Sequence, residues 1–249
     1  MDTWHRDLWP AIQPLICETG HSDFPYAVPG GTIFLATYQG RLFAITARHV
    51  LHPLNPICLF SSDFTDKLLP LEDVFFVPFE KCEEEYQDIA IAEFDPRKLI
   101  RDTDFKCTKF IDLEKTVNKD WLACAGRSRF AIFGYPSDHS QLDYENKNTT
   151  TRRFSLFASY HGMFFNHPGV HSLKIHNAAT VSSFNGFSGS PVFGWLPEDT
   201  RPNTITFCGM VLRGTQESNL MHFVESEIIM TAIRVKKPLC NIARKRGAN

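Results

Sequence analysis

The sequence predicts an all-β protein, a barrel or sandwich of antiparallel strands closed by one late helix. Three observations carry that prediction. Short apolar and β-branched runs recur at regular intervals between Gly, Pro and polar clusters. Residues 32–37 and 42–47 flank Tyr38-Gln39-Gly40-Arg41, which is the pattern of a β-hairpin. Sustained helical spacing, in Ile228, Ile229, Ala232 and Ile233, comes late, at residues 225–235.

The chain has 249 residues, enough for one large domain or two small ones with a real core. A net charge of -2 gives no strong pull toward nucleic acid or an anionic membrane. Apolar runs such as Ile33-Phe34-Leu35-Ala36 are far too short to span a bilayer. Pro10, Gln13 and Pro14 interrupt any signal-peptide core near the N-terminus. The 7 cysteines are odd in number and include no Cys-x-x-Cys pair, so reduced thiols in a cytoplasmic protein are expected.

In chain order, residues 1–22 read as an N-terminal arm, with one helical turn around 7–15 cut by prolines and anchored by Trp4 and Trp9. The hairpin follows, and His49 comes directly after it. Pro53 and Pro56 break the chain before strands at 57–60 and 71–79. The acidic run Glu83-Glu84-Glu85 reads as an exposed loop. Residues 87–94 form a short strand with Asp88 at its mouth, and 95–120 read as the connection between two halves. Strand texture resumes at 121–135, and 137–151 read as a polar loop. Further strands are expected at 153–165, 171–181, 190–195, 204–213 and 220–224. The helix at 225–235 has acids early and bases late, matching its dipole. The basic tail at 244–249 reads as a solvated end.

Chemistry concentrates in Gly186-Phe187-Ser188-Gly189-Ser190-Pro191. A serine between glycines suits a nucleophile, because a tight turn leaves Oγ exposed. Gly186, with no Cβ, can aim its N–H at a developing oxyanion beside the N–H of Ser188. Ser188 needs a base, and a histidine such as His49 ordinarily titrates near neutrality. Asp88 can accept the other imidazole N–H and fix the tautomer. Taken singly, these residues also fit an ordinary glycine turn, a packed histidine and a loop cap. Asp66, Asp73 and Asp138 are rival carboxylates.

Together, five motifs in order resemble the chymotrypsin-like (trypsin-fold) serine peptidases. Thr46-Ala47-Arg48-His49 resembles their Thr-Ala-x-His, and Asp88-Ile89-Ala90 their Asp-Ile-Ala. Gly186-Phe187-Ser188-Gly189-Ser190-Pro191 resembles their nucleophile turn, and Gly209-Met210-Val211-Leu212-Arg213-Gly214 their substrate-lining strand. Phe133-Gly134-Tyr135-Pro136 is similar to a Gly-Tyr-Pro of bacterial intracellular members. The match runs from about residue 30 to 234.

The resemblance implies two antiparallel β-barrels with a C-terminal helix. All of 1–249 is then a single peptidase unit, with an N-terminal barrel at 23–118 and a C-terminal barrel plus helix at 119–249. It implies peptide-bond hydrolysis through an acyl-enzyme, with Ser188 attacking, His49 carrying the proton and Asp88 orienting His49. The oxyanion hole falls to the N–H groups of Gly186 and Ser188; losing one such donor costs roughly 3–4 kcal/mol of barrier. Substrate would be lined by Ser182 at the floor of the primary pocket, Ser183 beside it, Phe184 on a wall, and Leu212, Arg213 and Gly214. With no carboxylate at the floor, a preference for Lys or Arg is not expected.

Departures from the family pattern also matter. Phe187 stands where zymogen-activated members carry an aspartate, so activation by a new N-terminus is not expected. Val50 replaces the cysteine common in secreted members, and Leu212 replaces a serine that supports the aspartate. No cofactor is implied. The expected partner is a protein or peptide substrate, with neither nucleic acid nor membrane. A 249-residue chain leaves no room for an appended sensor domain, so a separate regulatory or sensor protein is a candidate partner.

Two rival readings stand beside this one. The fold could persist as a non-catalytic peptide-binding or regulatory module. His161, His167, His171 and His176 could belong to a metal site, but their spacing suits no common ligand template. The 22 phenylalanines read mainly as core.

Overall fold

In a computed structural model, residues 8–24, 26–28, 30–51, 58–61, 68–70, 74–76, 88–95, 109–145, 148–164, 167–196 and 205–236 are described. The chain folds into two antiparallel β-halves. The first contains β1 (Ile12–Glu18), β2 (Tyr26–Ala27), β3 (Thr32–Tyr38), β4 (Arg41–Ala47), β5 (Cys58–Ser61), β6 (Leu68–Pro70), β7 (Val74–Phe76), β8 (Ile89–Phe94) and β9 (Ile111–Asp112). Their order is β6-β5-β1-β3-β4-β8-β7, with β2 on β1 and a parallel β9 on β3. Short helices α1 (Leu113–Thr116) and α2 (Trp121–Cys124) lead into the second half.

There β10 (Arg129–Gly134), β13 (Phe154–Met163), β14 (Val170–Ile175), β15 (Pro191–Trp195), β16 (Ile205–Thr215) and β17 (Leu220–Glu225) close a barrel in the order β10-β13-β14-β17-β16-β15. A separate hairpin, β11 (Ser140–Asp143) with β12 (Asn148–Thr151), stands beside it, and α3 (Ser226–Val235) ends the described chain.

Strand alternation sorts the core into two clusters. On β10, Phe130 and Ile132 face the barrel interior with Leu156, Leu173, Val211 and Phe223. Ala131 and Phe133 instead join Phe193, Phe207 and Met210 in a cluster shared with the first half and with Ile229 and Ile233 of α3. The two halves therefore meet through one continuous apolar layer. Glu93, nearly fully buried, reinforces it: Arg41 grips its carboxylate at 3.0 and 2.8 Å and also donates to the carbonyls of Ile233 and Lys236 at the end of α3. A buried carboxylate needs such a fork-shaped partner.

The hairpin and the late strands agree with the sequence reading, except that the strand expected at 171–181 stops at Ile175 and gives way to a 3-10 turn, Ala178–Thr180; three further segments differ from it. Residues 12–18 are not an arm: Ile12, Leu15, Ile16 and Cys17 are buried in β1, which pairs with β2, β3 and β5. Pro14 sits opposite Thr32 at the end of the β1–β3 pairing, where a missing N–H is tolerated. Trp121 starts a helical turn, not a strand; an apolar run of four fits either, and here the indole closes edge-on over Phe130, Tyr160 and His171. The polar stretch after residue 137 forms a one-turn 3-10 helix (Ser137–His139) and the β11–β12 hairpin. The expected acidic loop at 83–85, residues 96–108 of the expected connection and the basic tail lie outside the described residues.

Candidate active site

Strand register brings the first two candidate residues together. β4 and β8 pair with Ala47 opposite Ile89, and the ladder extends one step to a 3.1 Å bond from Arg48 N–H to the Asp88 carbonyl. His49 follows in a 3-10 turn, Arg48–Leu51. Its backbone N–H donates to Asp88 Oδ1 at 2.8 Å, and its Nδ1 lies 2.7 Å from Asp88 Oδ2. A carboxylate only accepts, so Nδ1 carries the proton, and in the neutral imidazole Nε2 is then the acceptor. The Asp88 side chain is 23% exposed and that of His49 51%, so the imidazole edge faces the solvent.

The third residue comes from the loop between β14 and β15. Two glycines shape it. Gly186 has φ +94° and Gly189 φ +86°, backbone that side chains rarely adopt. A Cβ on Gly186 would collide with the Tyr135 carbonyl, and one on Gly189 with the Thr32 carbonyl. Gly189 N–H and Val211 N–H exchange bonds with the Val211 and Ser190 carbonyls, clamping the loop to β16. Ser188 Oγ donates to the Leu212 carbonyl at 2.9 Å and makes no hydrogen bond to His49. Among the described residues, the N–H groups of Gly186 and Ser188 donate to nothing, so both remain free for a ligand.

Thr32, fully buried on β3, ties the two halves at this point. Its N–H donates to the Ser188 carbonyl at 2.9 Å and its Oγ1 to the Gly186 carbonyl at 2.8 Å. The same Oγ1 accepts from Tyr135 N–H at 2.9 Å, and the Thr32 carbonyl accepts Thr46 Oγ1 at 2.7 Å. The sequence reading gave Thr32 no role. Its hydroxyl works across 154 residues, and no local pattern marks such a contact. Thr46 stands inside the Thr-Ala-x-His motif, which is the one available signal.

The other expected site residues are distributed as follows. Ser182 is exposed and donates to the Asp138 carboxylate. Ser183 Oγ accepts from Asn185 N–H at 3.0 Å. Leu212 is buried, Arg213 lays its guanidinium 5.4 Å from the Phe164 ring, and Gly214 lies against Phe184 and Met221. Phe187 is fully buried in the barrel cluster. On the outer face of the barrel, His222 Nδ1 meets Ser172 Oγ at 2.9 Å. Burial, with Arg213 and His161 close by, pushes His222 down to about 4. His171 is buried between Tyr160 and Glu225. Among the described residues, no group of three or more His, Cys, Asp or Glu is placed to hold a metal ion. No described helix is long and apolar enough to cross a membrane.

No protein-family model and no curated protein matches the chain. Solved structures do. The protease of tobacco vein mottling virus is similar with a TM-score of 0.53 at 10% identity, over 95% of this chain and 87% of that one. A Glu endopeptidase is similar with a TM-score of 0.53 at 14% identity, over 90% of each chain. At these identities the likeness is one of fold: this chain has the chymotrypsin-like arrangement of antiparallel β-halves with a C-terminal helix.

Proposed function

We propose that the protein is a serine endopeptidase acting on protein or peptide substrates through an acyl-enzyme. Ser188 Oγ turns from the Leu212 carbonyl to His49 Nε2 and attacks the substrate carbonyl. His49 takes the proton and passes it to the leaving amine, while Asp88 holds the imidazole in the accepting tautomer. The free N–H groups of Gly186 and Ser188 receive the oxyanion. Water, deprotonated by His49, then releases the acid. The observation that carries this reading is the double hold of Asp88 on His49, through the backbone N–H and through Nδ1. Two of the neighbours in fold are named as peptidases, which agrees with it.

The reading extends to a reducing, cytoplasmic setting, with Cys124 and Cys208 as free thiols, and to control by a separate regulatory protein. A fluorophosphonate probe tests the core of it. Wild type should gain one adduct on Ser188, and Ser188→Ala none. A folded wild type that never labels removes the reading.

One observation favours a second reading, a peptide-binding module without turnover: Ser188 Oγ is hydrogen-bonded to Leu212, not His49. That module would bind peptides and leave the probe untouched.

A further inference from the structure

Resting on the peptidase reading above, we infer that the site cleaves after residues with small side chains, glycine, alanine or serine, because Phe184 and Met221 fill the space that a larger side chain needs.

The scissile carbonyl has to lie within reach of Ser188 Oγ and of the free N–H groups of Gly186 and Ser188. β16 runs directly past this point, since its Leu212 carbonyl already holds Ser188 Oγ. The pairing of β15 with β16 ends at Met210. Beyond it, Arg213, Gly214 and Thr215 pair with β17 on one edge, and among the described residues no strand occupies the other. All three are exposed. An extended peptide can add to such an edge as a further strand. The side chain of the residue that supplies the attacked carbonyl then enters the gap between this edge and the loop at 182–186.

Phe184 lies in that gap. It is only 5% exposed and packs edge-on against the fully buried Phe187, with ring centroids 6.5 Å apart. On the other side its ring closes on Gly214. A Cβ at Gly214 would stand 3.0 Å from Phe184 Cδ2 and 2.8 Å from Met221 Cγ. Met221, 1% exposed, is the cross-strand partner of Gly214. The glycine therefore does not open a deep slot; it lets two large side chains close in from either side. Below them lies the apolar barrel interior, with Val211 and Phe223. A glycine, alanine or serine side chain fits against this surface, while a phenylalanine, leucine or arginine requires Phe184 to leave.

The experiment is a peptide library varied at the residue before the scissile bond, cleaved by wild type and by Phe184→Ala. It is paired with binding of hexapeptides that end in a free Ala, Phe or Arg carboxylate to Ser188→Ala. In wild type, kcat/KM after Ala should exceed that after Phe by about 100-fold, since one methylene in a tight pocket is worth about 10–200-fold. Phe184→Ala should reduce that ratio at least about tenfold. Ser188→Ala should hold the Ala-ended peptide at least about tenfold more tightly than the Phe-ended one.

Equal or better cleavage after Phe or Leu overturns the inference and leaves the peptidase reading intact. So does cleavage after Lys or Arg, which would turn attention to the exposed Asp138 beside Ser182. If wild type cleaves nothing, the peptidase reading fails, and the binding arm still scores the pocket: a preference for the Ala-ended peptide supports it, and equal, reversed or absent binding overturns it.

Discussion

The two halves of the molecule contribute to the candidate site in different ways. The first half contributes side chains that are already engaged: Asp88 holds His49 at two points, 2.8 and 2.7 Å. The second half contributes backbone: a glycine-shaped loop, two free N–H groups and a serine whose Oγ rests on the Leu212 carbonyl. In the proposed mechanism the acid–base pair is thus built in advance, and the nucleophile has to turn from the Leu212 carbonyl to join it. On the proposed reading, each half arranges in advance what costs most to organise during a reaction, the imidazole tautomer in one and the dipoles meant for developing charge in the other.

The sharpest way to break this contrast is Asp88→Asn. An amide can present N–H₂ to Nδ1, which leaves the proton on Nε2 and removes the acceptor that Ser188 needs. Peptide hydrolysis should drop by about 10⁴-fold in kcat, with binding of substrate little changed. Measured kcat within tenfold of wild type would remove Asp88 from its role and, with it, the notion that the first half supplies a prepared pair.

A smaller effect tests what joins the halves. Thr32→Val keeps shape and deletes one hydroxyl. The Gly186 carbonyl loses its donor and Tyr135 N–H its acceptor, both in buried surroundings. The expected loss is roughly 2–4 kcal/mol of stability, read from the urea midpoint. Activity should fall further than the folded fraction accounts for, because the N–H of the same residue, Gly186, is one of the two that the proposed mechanism gives to the oxyanion. Thr32→Ser, which keeps the hydroxyl, should restore most of both. If valine and serine behave alike, the hydroxyl is not the link.

The same residues show what could be read from sequence. The β3–β4 hairpin is legible because turn and strand signals are local: Gln39-Gly40 between two apolar strands. The four-residue apolar start at Trp121 is not, because such a run fits a buried helical turn as well as a strand, and only Phe130, Tyr160 and His171 decide between them. β1 is obscured by Pro14, which suits a strand wherever the ladder does not call on the missing N–H. At the site, the His49–Asp88 contact is legible through motif order, and its physical cause is the β4–β8 register. The Thr32 bonds and the burial of Phe184 are not legible, since both depend on which way a side chain faces across the join between distant segments.

The smallest expected effect contrasts two histidines. His49 faces a carboxylate; His222, in the second half, faces Arg213 and His161 and sits half-buried against Phe164 and Ser172. His222 is held down at about 4, chiefly by burial, while an unfolded histidine titrates near 6.5. Between those values the unfolded chain binds the extra proton, so acid favours unfolding. The native state keeps its full stability from this group above about pH 6.5 and loses it progressively toward pH 4. Because His222 is partly open to water, screening limits the loss to about 1–2 kcal/mol. His222→Gln removes the titration, so its urea midpoint should fall less than that of wild type between pH 7.5 and 4.5. Parallel acid limbs in the two proteins would assign the acid sensitivity to other groups and erase this difference between the halves.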